Sequence, residues 1–132
     1  MWSRVFVKGR RIRVPVRVWA QTQQFSFGSP RGVVDTASDI TVFNKRFVDQ
    51  LDYILDNSKK DSLSGFGGEQ PAHRIIVSKI RALGGEVTNI MVKVADFPLH
   101  LSKIDVVLGQ NFLEQFDLFI YGPKGIVEAK KS

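Results

Sequence analysis

A chain of 132 residues, 43% hydrophobic and 24% charged, is sized and composed for one globular domain of the soluble class, spanning residues 1–132. It has no cysteine, which excludes disulfide frameworks, thiolate nucleophiles and cysteine-based zinc sites. Lysine and arginine outnumber aspartate and glutamate by 19 to 13, a net charge of +6.

The cations gather at the two ends: Arg4, Lys8, Arg10, Arg11, Arg13 and Arg17, then Lys130 and Lys131. Basic strand faces account for that pattern, so nucleic acid is kept only as a minor alternative partner. These cations also break every apolar run near the N-terminus, and no stretch reaches the length of a membrane span. The expectation is a soluble, cytoplasmic protein with no signal peptide and no membrane partner.

In chain order, Ile12, Val14, Val16 and Val18 alternate with Arg13 and Arg17, the period of a strand with one wet face. Pro15 places that strand at a sheet edge. Gln23 to Phe27 predicts a second strand, ended by the turn Gly28-Ser29-Pro30-Arg31-Gly32. From Asn44, a candidate N-cap, the residues Phe47, Val48, Leu51, Ile54 and Leu55 fall at helical spacing. The polar run Asp56 to Ser64 predicts a loop, and Gly65-Phe66-Gly67-Gly68 follows it. His73 to Leu83 favours a strand, Gly84-Gly85 a tight hairpin turn, and Val87 to Val94 its return. Asn111 to Phe116 predicts a short helix; Leu118 to Tyr121, the turn Gly122-Pro123-Lys124-Gly125 and Ile126 to Ala129 predict a closing hairpin. Many short strands with one medium and one short helix make a mainly β fold of the barrel or sandwich kind.

The chemistry concentrates in Val33-Val34-Asp35-Thr36-Ala37-Ser38-Asp39-Ile40-Thr41-Val42. An acid directly after a β-branched run stands where a buried strand ends, so its carboxylate is expected to be partly desolvated. The small residues Thr36, Ala37 and Ser38 leave room for a second chain or a substrate to come close.

This segment resembles the retroviral-type, or retropepsin-like, aspartic proteases, whose pattern is Asp-Thr/Ser-Gly-Ala-Asp-x-Thr-Val after hydrophobic residues. It agrees at Asp35, Thr36, Asp39, Thr41 and Val42, with a small residue at Ser38. The family's second hallmark is a hydrophobic pair, Gly, Arg-Asn/Asp and an apolar pair. Val106-Val107-Leu108-Gly109-Gln110-Asn111-Phe112-Leu113 fits it apart from Gln110. Gly65 to Gly68 lies where the family has its glycine-rich flap.

The resemblance implies a closed β-barrel that works as a C2 homodimer on protein or peptide substrates, without cofactor or metal. Asp35 would be the catalytic acid, one from each copy, and the Thr36 hydroxyl would stiffen the pair by reaching across to the opposite loop. Ala37, Ser38 and Asp39 would line the cleft, with Gly65, Phe66, Gly67 and Gly68 closing over the substrate. Thr41, Leu108, Gly109, Gln110 and Asn111 would support the loop.

Two departures carry consequences. Ala37 stands in place of a glycine, and its methyl crowds the site or strains the loop if a positive φ is required there. Gln110 stands in place of an arginine, so it hydrogen-bonds Asp39 but cannot neutralise it. A retropepsin-fold module that binds peptides or dimerises without catalysis is therefore the alternative, with a basic nucleic-acid-binding β-domain behind it.

The plainer readings exclude other chemistry. Asp35 as a turn-forming cap is set against the three motifs in order. Gly65 to Gly68 lacks the Gly-Lys-Ser/Thr of a phosphate loop. His73 and His100 have no companions at metal-ligand spacing, and no Gly-x-Ser-x-Gly elbow occurs.

Overall fold

The computed structural model describes residues 2–6, 13–19, 30–49, 59–65, 68–121 and 126–131. Among the described residues ten strands dominate: β1 (Trp2–Phe6), β2 (Arg13–Trp19), β3 (Arg31–Val34), β4 (Val42–Asn44), β5 (Lys59–Gly65), β6 (Gly68–Ala82), β7 (Gly85–Ala95), β8 (Val106–Leu108), β9 (Phe116–Tyr121) and β10 (Ile126–Lys131). Two one-turn helices among the described residues, α1 (Lys45–Val48) and α2 (Gln110–Leu113), and a 3-10 turn (Leu99–Leu101) punctuate them. Among the described residues no helix is long and apolar enough to cross a membrane.

A seven-stranded sheet runs β2-β3-β8-β4-β7-β6-β5, and β2 also pairs with β6, so the ladder returns on itself. A separate three-stranded sheet, β1-β10-β9, joins the first described strand to the last.

β2 shows the expected alternation: Val14, Val16 and Val18 are buried while Arg13, Pro15 and Arg17 are exposed. It is not an edge strand, however. Arg13–Pro15 pair with β3 and Val16–Trp19 with β6, so Pro15 stands where one partner is exchanged for the other. A missing N–H costs least at such a switch.

Lys59–Ser64, expected as part of the Asp56–Ser64 loop, forms together with Gly65 a strand paired along its length with Gly68–Arg74 of β6. Leu63 is its buried apolar residue, so no hydrophobic period announces it. A polar, lysine-bearing strand is characteristic of a sheet edge, which is where β5 lies.

The β6–β7 hairpin turns through Leu83 and Gly84, with φ of 55° and 77°, one residue earlier than the expected Gly84-Gly85. Gly85 is instead the first β7 residue. A Cβ there would meet the Phe116 ring at 2.6 Å, so the glycine is needed for packing. Asn89 takes φ of 49°; around it the buried side of β6 changes from Ile75 and Val77 to Ile80 and Ala82. One long ribbon thereby presents opposite faces to the core along its length.

Asn44 caps α1 as expected, accepting from the Arg46 N–H at 3.1 Å. Leu51, Ile54 and Leu55, the Gln23–Phe27 strand, Ile12, the Gly122–Gly125 turn, and Phe66 with Gly67 lie outside the described residues.

The larger apolar cluster centres on Phe43, Val77, Val92, Leu108 and Phe112. A smaller one, including Val33, Val42, Leu63, Ala72 and Val107, lies beneath the Asp35 loop.

Candidate active site

β8 lies between β3 and β4, parallel to the first and antiparallel to the second. The loop joining β3 to β4 therefore has to pass around the end of β8. Asp35 opens that loop, directly after Val34, and its N–H donates to the Leu108 carbonyl at 3.0 Å. Val34–Leu108 pairing thus extends one residue further and fixes where the carboxylate begins.

Past Leu108, the second segment locks the first. The Gln110 and Asn111 N–H groups donate to the carbonyls of Ser38 and Asp39 at 2.7 and 3.1 Å. Gly109 must be glycine, because an added Cβ would lie 2.5 Å from the Ile40 carbonyl carbon and 2.9 Å from the Ser38 oxygen.

Thr41 is fully buried and satisfied on every side. Its N–H and hydroxyl both donate to Asn111 Oδ1, at 2.9 and 2.8 Å, while Oγ1 accepts from the Gly109 N–H at 3.1 Å. Asn111 Nδ2 donates in turn to the Met91 carbonyl at 2.7 Å, tying the loop to β7. Thr41, Leu108, Gly109 and Asn111 thus all bond within or against the two loops.

The side chain of Asp35 is exposed in the single chain, against the expectation of partial burial. Leu108 takes the strand's last backbone bond, and among the described residues nothing covers the carboxylate. Oδ1 accepts from the Ala37 N–H at 3.0 Å, and the described residues give Oδ2 no partner. Thr36 and Ala37 are exposed beside it, and the Thr36 hydroxyl is unbonded among the described residues. Ser38 turns its hydroxyl inward, donating to the Ile40 carbonyl at 2.7 Å.

Ala37 does not have a positive φ; among the described non-glycine residues only Leu83 and Asn89 do. The condition for backbone strain at Ala37 is therefore not met.

Gln110 does not bond Asp39. Its Nε2 donates to the Thr36 carbonyl at 2.6 Å, and the exposed Asp39 carboxylate has no bonded partner among the described residues. The amide braces the Asp35 loop through its backbone instead.

A pocket of about 260 Å³ opens beside Asp35, lined also by Ala37, Ser38, Val42, Leu63, Ser64 and Val107. Leu63 and Ser64 come from β5, so the β5–β6 hairpin forms one wall. Gly65 and Gly68 are its last paired residues, with Gly68 at φ 148°. The sequence singled out the glycines but not Leu63, whose only signal was a lone apolar residue in a polar run.

β5 is held from below by Lys93, whose Nζ donates to the Ser62 carbonyl at 2.7 Å and lies 3.7 Å from Asp61. The Lys93 backbone N–H donates to the Thr41 carbonyl, so one residue contacts both the loop and the hairpin. The Asp61 carboxyl is held below its ordinary value, first by the Ser62 N–H and, against a desolvation effect that raises it, by Lys93 and Arg74. Among the described residues no three His, Asp or Glu side chains gather as a metal site would require.

The interlocked Asp-Thr and Leu-Gly loops, set in this sheet order, are those of a mainly β, retropepsin-like fold. The aspartyl protease family's sequence model matches residues 27–112, and the chain belongs to that family. Over 98% of its length it is similar in fold to the crystal structure of a retropepsin-like aspartic protease from Rickettsia conorii, covering 91% of that chain with a TM-score of 0.69 and 19% identity. No curated protein matches it.

Proposed function

We propose that the chain is a one-domain aspartic endopeptidase that acts as a homodimer, with Asp35 of each copy forming the catalytic pair. The observation that carries this reading is the Asp35 carboxylate itself. It is anchored on one oxygen by the Ala37 N–H, without a partner on the other among the described residues, and exposed at the mouth of a pocket with a partly apolar wall. An acid fixed on one side and left uncovered by the described residues is what half of a two-carboxylate site would present.

Two such loops meeting about a twofold axis bring like charges together, and the pair then holds one proton between them. The ionised member takes a proton from a water molecule as that water attacks the peptide carbonyl. The protonated member hydrogen-bonds the carbonyl oxygen and stabilises the charge that develops there. Collapse of the tetrahedral intermediate returns a proton to the leaving nitrogen. Thr36, whose hydroxyl has no bond among the described residues, would bond the opposite loop.

The β5–β6 hairpin acts as the flap, with Gly65 to Gly68 at its end. It closes over an extended substrate through main-chain hydrogen bonds and excludes water. Asp39, free of Gln110, is available to the substrate backbone or to a basic side chain. The absence of backbone strain at Ala37 favours a working site over a spoiled one.

Digestion of a diverse peptide library tests the proposal. Cleavage at mildly acidic pH, blocked by statine-type inhibitors and lost in a folded Asp35→Asn protein, is expected. A folded dimer that cuts nothing until Ala37→Gly is introduced would instead support the non-catalytic module.

A further inference from the structure

The chain's charge is segregated in a way that the cleft does not use. Asp35 is the first acidic residue of the sequence, and seven lysines and arginines precede it, so that stretch carries the whole net charge. Part of it is displayed on one sheet face. Arg13, Pro15, Arg17 and Trp19 point outward from β2, and the register sets Arg31 beside Pro15, Arg81 beside Arg17 and Lys79 beside Trp19.

Each two-residue step along β2, about 6.4–6.8 Å, therefore carries a cation: Arg13, Arg31, the Arg17–Arg81 pair, then Lys79. The exposed side chains of Arg13, Arg17 and Arg31 form no ion pair among the described residues. Glu86 is shared by Lys79 and Arg81 at 3.5 and 3.4 Å and offsets only one of their charges. Asp105 accepts from the Arg31 backbone N–H, but its ion pair is with Arg46. Like charges directly opposite each other in a ladder cost stability, so the Arg17–Arg81 pair gives the fold nothing.

We propose that this face docks an extended, acidic polypeptide segment with a carboxylate at every second residue. Such a segment has the same repeat as β2 and meets a cation at each step. Trp19 favours this occupant over nucleic acid, since its ring already holds Lys79 Nζ at 4.3 Å and Arg81 Cζ at 5.1 Å from its centre and so serves as a support for cations. The inference rests on the endopeptidase reading to the extent that the segment belongs to a substrate, outside the bond to be cut.

Fluorescence anisotropy on the Asp35→Asn protein tests it. The probes are a short peptide alternating glutamate and threonine, its glutamine counterpart, and an oligothymidylate of equal charge. The glutamate peptide is expected to bind in a salt-dependent manner, and Arg13→Gln/Arg17→Gln to weaken it about tenfold or more. The double variant should melt no lower than its parent, since it relieves the repulsion with Arg81.

Failure of the glutamate peptide to bind, or binding indifferent to the double substitution, overturns the proposal. Tighter binding of the oligothymidylate at the same residues also overturns it, in favour of nucleic acid. In protein with Asp35 intact, Arg13→Gln/Arg17→Gln should cut short neutral peptides at the parent rate. Cleavage without acidic-peptide binding sinks the docking face alone, and binding without cleavage sinks the endopeptidase reading alone.

Discussion

Thr41 shows how much can depend on one hydroxyl. It donates to Asn111 Oδ1 and accepts from the Gly109 N–H in a fully buried position. Thr41→Val keeps the shape but strands the Gly109 donor and removes one of the two bonds to Asn111. A buried donor without a partner costs on the order of 2 kcal/mol. Thermal melts at fixed protein concentration should drop by roughly 5–10 °C for Thr41→Val and clearly less for Thr41→Ser, which keeps the hydroxyl. Equal losses in the two variants would mean that packing, not the hydroxyl, matters. The contacts of Thr41, Gly109 and Asn111 were legible because two short motifs hold residues whose types cannot change without losing a bond or creating a clash. Gln110 was misread as a partner for Asp39, since the aim of a long amide depends on the path of a loop that no periodicity encodes.

At the level of elements, β2 and the β6–β7 hairpin could be read from alternation and from Gly84, whereas β5 could not. Its pairing with β6 is a backbone property, and a polar edge strand leaves no hydrophobic signature. The Asp61–Lys93 contact adds a pH dependence to that strand. Because the Asp61 carboxyl is held below its ordinary value by the Ser62 N–H and by Lys93, its contribution is present at neutral and mildly acidic pH. It is lost as pH falls through that depressed value. Amide protection factors along Lys59–Gly65 are expected to hold steady from neutral pH down to the mildly acidic range and to fall only below the ordinary aspartate range. Lys93→Met should lower protection in β5 even at neutral pH. Protection that declines already between neutral and mildly acidic pH, or that ignores Lys93→Met, would contradict the tether.

For the whole molecule, the decisive feature is a carboxylate that the described residues of its own chain leave uncovered. The order of motifs made the fold legible, because the β3–β8–β4 arrangement follows from bringing the Asp-Thr and Leu-Gly segments together. Burial of Asp35 was not legible, since in the proposed dimer its cover comes from a second copy. Subunit mixing tests this most directly. Protein with Asp35 intact and Asp35→Asn protein are exchanged at constant total concentration, and peptide cleavage is followed as the intact fraction is lowered. If two Asp35 side chains make one site, activity falls as the square of that fraction. A fall in simple proportion to it would mean that each chain cuts alone, and the paired-carboxylate account would be wrong.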